Sequence, residues 1–135
     1  MDILVFASEQ WILVTVLVSL IMLYFWNEKR RSGQSISTHE ATRLINSDTA
    51  VLIDIREANE FKTGHIANAI NMPYTKMKNN LSQFDVQPDK TVILVDKLGT
   101  HTAAIGRELV KAGRQVCRLE GGMSEWQNQK LPVVK

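Results

Sequence analysis

Two short runs, Val51-Leu52-Ile53 and Val92-Ile93-Leu94-Val95, are wholly apolar, and each stops at an aspartate, Asp54 and Asp96. A strand with one wet face alternates apolar and polar residues. A run without alternation is buried on both faces, as happens where helices cover a parallel sheet from two sides. The intervening segments read as those helices. Ser37-Thr38-His39-Glu40 has capping-box form ahead of Ala41, Leu44 and Ile45. Residues 57–62 make one or two helical turns stopped by Gly64, residues 69–72 a short strand ended by Pro73, and a helix falls somewhere within 76–84, with Met77, Leu81 and Phe84 spaced for one face. A helix over 102–112 stops at Gly113, a strand follows at 116–119, and a last helix spans 122–129 before Leu131-Pro132. Strands alternating with helices predict an α/β domain with a mainly parallel sheet. At 135 residues the chain holds one such core.

Ahead of that domain, the segment from Trp11 to Trp26 carries no charge, and the apolar stretch reaches back to Ile3 with only Glu9 interrupting it. At ~1.5 Å per residue the charge-free segment makes about 24 Å of helix and the run from Ile3 about 36 Å, against ~30 Å of bilayer hydrocarbon. Its apolar residues go all the way round, which favours a span over a helix lying in the interface. Trp11, Tyr24 and Trp26 sit where interfacial aromatics belong. A cleaved signal peptide would begin with basic residues and offer a small-residue cleavage site; this run begins Met1-Asp2 and leads into Asn27-Glu28-Lys29-Arg30-Arg31. Those cations predict a single pass through the plasma (inner) membrane, with the N-terminus outside and the domain in the cytoplasm. They also suit anionic headgroups. The expected organisation is a transmembrane anchor over 1–26, a polar basic linker over 27–35 and a folded domain over 36–135. The span contains no Gly-x-x-x-Gly pair, so helix dimerisation has no special support and the oligomeric state stays open.

Composition removes several function classes. A formal charge of +2, without a stripe of interleaved basic and aromatic residues, sets nucleic acid aside as a partner. The single cysteine, Cys117, excludes an internal disulfide and any Cys-x-x-Cys metal or redox pair. His39, His65 and His101 lack ligand spacing, so no metal and no cofactor are expected. The expected partners are the lipid bilayer and other membrane proteins.

In open parallel sheets ligands bind at the carboxyl ends of the strands, where loops meet helix N-termini. Asp96-Lys97-Leu98-Gly99-Thr100-His101-Thr102 occupies such a place. Loop amides together with the free amides of a helix start form a cradle that favours negative charge. Either Thr100 or Thr102 is the natural N-cap of the following helix, and Lys97 and Arg107 could make the rim basic.

Around these elements the chain resembles the rhodanese-like family. Asp54, Arg56, Glu60, Phe61, Gly64, His65, Ile66, Ala69, Asn71 and Pro73 follow that family's first motif in order, and Gly121, Gly122, Trp126 and Pro132 its second. The resemblance covers about residues 36–135 and implies a three-layer α/β domain with a five-stranded, mainly parallel sheet. It also implies sulfur transfer through a persulfide on a cysteine at the start of the loop, where this chain has Asp96. A carboxylate keeps the charge but cannot form a persulfide. It is expected to occupy the cradle itself, accepting the hydrogen bonds an incoming anion would receive. No catalytic residue is therefore expected; the function expected is binding or scaffolding at the membrane. The alternative is a sulfurtransferase or thiol-handling enzyme using Cys117 or a partner's thiol; phosphate or arsenate chemistry meets the same lack of a loop cysteine. Asp54, Arg56 and Glu60 are expected to form a charge network at the sheet's edge, Gly64 and His65 a turn, Trp126 to pack the last helix on the sheet, and Gly121-Gly122 to supply a turn with positive φ or close approach.

Overall fold

The structure is a computed structural model and describes residues 2–79 and 88–135. The chain forms two units, residues 1–30 and 31–135.

In the first unit α1 (Ile3–Glu9) is separated from α2 (Trp11–Ser32) at Gln10, so the apolar stretch is two helices where one was expected. At ~1.5 Å per residue the 22 residues of α2 make about 33 Å, long enough and apolar enough to cross a membrane. Its interior hydroxyls are turned back on the helix: Thr15 Oγ1 donates to the Trp11 carbonyl and Ser19 Oγ to that of Thr15, each at 2.8 Å. Satisfied in this way, they spare an apolar surrounding two unpaired polar groups. The Arg30 guanidinium lies 5.7 Å from the centre of the Trp26 ring.

The second unit is a five-stranded sheet of β1 (Gln34–Ile36), β2 (Ala50–Asp54), β3 (Ile70–Asn71), β4 (Thr91–Val95) and β5 (Val116–Leu119), in the order β1-β5-β4-β2-β3. Every pairing between these strands is parallel. The polar linker expected over 27–35 is ordered structure instead: residues 27–32 continue α2, and Gln34 and Ser35 pair with Cys117 and Arg118 in β5. Gly33 makes the turn between them at φ +89°, where a Cβ would stand 2.6 Å from the Val116 carbonyl oxygen.

Side chains leave a strand alternately to its two faces, and the two apolar runs divide in that way. Leu52, Ile93, Val95 and Leu119 meet Ala41 of α3 (Thr38–Asn46) and Met123 and Trp126 of α7 (Gly122–Asn128). Val51, Ile53, Val92 and Leu94 meet Met77 of α5 (Tyr74–Met77) and Ile105 and Leu109 of α6 (Thr102–Lys111). This is the three-layer arrangement. One short helix, α4 (Ala58–Thr63), precedes Gly64 as expected. Where a helix was expected within 76–84, α5 covers Tyr74–Met77; Leu81 and Phe84 lie outside the described residues. Ser37 caps α3 by accepting from the Glu40 amide at 3.2 Å, but the Glu40 side chain pairs with Arg43 rather than reaching back. That hydrogen bond holds the Glu40 carboxyl below its ordinary pKa.

Candidate functional site

Asp54 and Asp96 close neighbouring parallel strands, β2 and β4, so both arrive at the carboxyl end of the sheet. Their environments differ. Asp54 is fully buried and receives the Arg56 guanidinium side-on, Nε at 3.0 Å from Oδ1 and Nη2 at 2.8 Å from Oδ2. Arg56 also donates to the Gly64 carbonyl at 2.8 Å, and its own amide bonds Asp54 Oδ1 at 3.0 Å. Asn71 ties the same loop down by donating to the carbonyls of Asp54 and Arg56. A buried ion pair of this kind holds only when its remaining hydrogen-bonding groups are met, and here the Gly64 carbonyl and the Arg56 amide meet them.

Glu60 does not join this pair; its side chain has no ion pair with Arg56 among the described residues. The expectation of a three-member network fails for a local reason. Arg56 precedes the helix, which begins at Ala58 after its N-cap Glu57, so the i,i+4 spacing is not helical spacing. The pair also lies at the end of an inner strand, not at the edge of the sheet.

Asp96 is 6% exposed, and its carboxylate accepts from the Lys97 amide at 2.6 Å, the His101 amide at 2.9 Å and the Thr100 hydroxyl at 3.3 Å. Neither threonine is the N-cap of α6. That position is His101, which makes no side-chain cap. The oxygen that caps the loop and helix start comes from Asp96, five residues back, while Thr102 donates to the Gly99 carbonyl at 3.0 Å. On its other side the loop rests on α7: the Met123 amide donates to the Asp96 carbonyl at 2.7 Å and the Ser124 amide to that of Lys97 at 2.9 Å. Gly121 and Gly122 have φ +73° and +58°. Positive φ and close approach are thus both present, because a Cβ on Gly122 would stand 2.1 Å from the Asp96 carbonyl oxygen.

The loop walls a cleft of about 330 Å³. Asp96, Arg56 and Ile55 lie at its base; Glu57, Glu60 and Lys97 bring charge. Leu98, 62% exposed, forms part of the lip. Tyr74 and His101 form a stacked pair, ring centres 4.5 Å apart at 26°. Of the two cations expected on the rim, Lys97 lines the cleft, whereas Arg107 belongs to α6 outside that lining. Glu57 and Tyr74 were not singled out from the sequence. The available signal was position: each follows the carboxyl end of a strand, β2 and β3 respectively.

The other named residues have structural places. His65 Nδ1 lies 2.9 Å from the Phe61 carbonyl, its ring stacks on Phe61, and its backbone bridges to Val134. Trp126 is buried and donates from Nε1 to the Pro132 carbonyl at 3.0 Å. Cys117 lies within β5, half-buried beside the core, and not in the lining of the cleft. Burial, and then the charge of Glu40, push its thiol pKa up.

Comparison with known proteins places this geometry in a family. The rhodanese-like domain model matches residues 37–129. The uncharacterized protein YibN of Escherichia coli K12 is 40% identical over 102 residues, covering 74% of this chain and 71% of its own. A rhodanese-related protein from Thermoplasma volcanium superposes with a TM-score of 0.67 at 28% identity, over 75% of this chain and 97% of that one. A thiosulfate sulfurtransferase from Pseudomonas aeruginosa shares the fold, with a TM-score of 0.66 at 23% identity over 79% of this chain and 21% of its own length. With its parallel sheet, its helix-covered faces and its loop at the end of β4, the chain belongs to the rhodanese-like domain family.

Proposed function

We propose that this chain is a membrane-anchored rhodanese-like protein that binds a partner at the cytoplasmic face of the membrane and does not transfer sulfur. The observation that carries this reading is the Asp96 carboxylate, which accepts the amides of Lys97 and His101 inside the loop. By resemblance to the family, Asp96 stands at the position of the nucleophilic cysteine. Sulfur transfer needs a thiolate there, stabilised by those same amides and able to form a sulfur–sulfur bond. An oxygen acid meets the first requirement and fails the second. Cys117 is a poor substitute, since burial favours its neutral thiol and its strand position keeps it out of the cleft. The length of α2 and the cations Lys29, Arg30 and Arg31 at its end support a single span with the domain inside.

The test is sulfur transfer from thiosulfate to cyanide by the full-length chain in detergent. The wild type is expected to match Asp96→Ala at background, and Asp96→Cys to gain activity. Wild-type turnover well above Asp96→Ala would overturn the reading. For orientation, a green fluorescent protein fused after Lys135 is expected to fluoresce with the membrane fraction, and an alkaline phosphatase fused there to stay inactive.

A further inference from the structure

We infer that the cleft beside the Asp96 loop takes the guanidinium of an arginine presented by a protein partner, rather than an oxyanion. This rests on the binding reading above and names the chemistry of what is bound. Two amides that would hold an anion are occupied by the chain's own carboxylate, through Lys97 and His101. The charge around the cleft is also of the wrong sign for an anion. Among the side chains that line it, Glu57, Glu60 and Asp96 bring three carboxylates against two cations, Arg56 and Lys97. Arg56 is already committed to Asp54 and Gly64. Among the described residues, exposed Glu57 receives only a neutral hydroxyl, from Thr75 at 3.1 Å.

The stacked Tyr74 and His101 rings add a flat wall to this acidic cleft. A planar guanidinium can lie against such a wall while donating to carboxylates at its edge, a combination open to arginine and not to the compact ammonium of lysine. Leu98, exposed on the lip, provides an apolar seat for a residue next to that arginine. A free polycation carries no apolar side chain beside a planar guanidinium, so the pairing of Leu98 with the aromatic wall favours a protein segment as the source of the charge.

The experiment is titration of the full-length chain in neutral detergent, at low salt, with acetyl-Gly-Arg-Leu-Gly-amide, its Glu counterpart, spermidine and thiosulfate. Amide chemical shifts of Lys97 and His101 are the readout. The arginine peptide is expected to shift both saturably, to lose affinity about tenfold in Glu57→Gln and further in Glu57→Gln with Glu60→Gln, and to weaken with added salt. The Glu peptide and thiosulfate are expected to shift neither. Saturable binding of thiosulfate or spermidine without the arginine peptide would overturn the inference. So would unchanged peptide affinity in the double variant with an unaltered unfolding temperature. Sulfur transfer by the wild type would sink the binding reading; lack of peptide binding without sulfur transfer sinks this inference alone.

Discussion

The Asp96 carbonyl oxygen and the α-carbon of Gly122 are in such close contact that a single added carbon would lie 2.1 Å from that oxygen. The strand end that carries the loop and the helix that backs it are therefore fixed to each other through backbone atoms. A Gly122→Ala change must both move that carbonyl and hold an alanine at φ +58°. A loss of about 3 kcal/mol is expected from overpacking and backbone strain together. Thermal unfolding followed by circular dichroism checks it. Gly113→Ala is the control: φ is +87° but nothing lies within 4 Å, so only a cost of about 1 kcal/mol should appear.

Arg56→Met should cost far more than the removal of a surface charge. It leaves Asp54 fully buried with its cation gone, and breaking such a pair typically costs about 3–5 kcal/mol. The fall in the urea midpoint is the measurement. An unchanged midpoint would mean that Asp54 is satisfied without its arginine.

Asp96→Ala removes the acceptor for two amides and a hydroxyl in one step. A destabilisation of about 1–2 kcal/mol is expected, the size of losing a helix cap. Amide exchange should quicken first at Lys97 and His101. Asp96→Asn, keeping one carbonyl oxygen, should fall between alanine and the wild type.

Cys117 should react slowly with iodoacetamide at neutral pH and fast once the chain is unfolded, because burial holds its thiol above the ordinary pKa of 9.0. The same shift fixes a sign for stability. A folded pKa above the unfolded one means the unfolded chain loses its proton first as pH rises. Stability linked to Cys117 is thus complete below about pH 9 and declines above it. Cys117→Ser should remove that decline from the denaturation curves.

The inner strands were legible because burial on both faces leaves no room for polar residues: β2 and β4 coincide with the two apolar runs. β1 was not, since Gln34 and Ser35 are exposed and only Ile36 is buried, which matches no strand period. The three-residue strand is held by its register against β5, a relation between distant parts of the chain. At the site, the aspartate in the loop and its occupation of the cradle followed from residue type and place. The absence of Glu60 from the Arg56 pair did not, because it depends on where α4 begins. The Tyr74–His101 stack is likewise a product of packing between two strand ends.

The pairing of β1 with β5 sets an order of events during synthesis. Arg118 reaches the Gly33 carbonyl across 85 residues of sequence, and Gln34 has its partner in Cys117. The ribosome thus delivers the first strand of the sheet long before the strand that receives it. This edge must wait, unpaired, while the strands between it and β5 in the sequence are still being made. The sheet can close along this edge only once β5 has emerged.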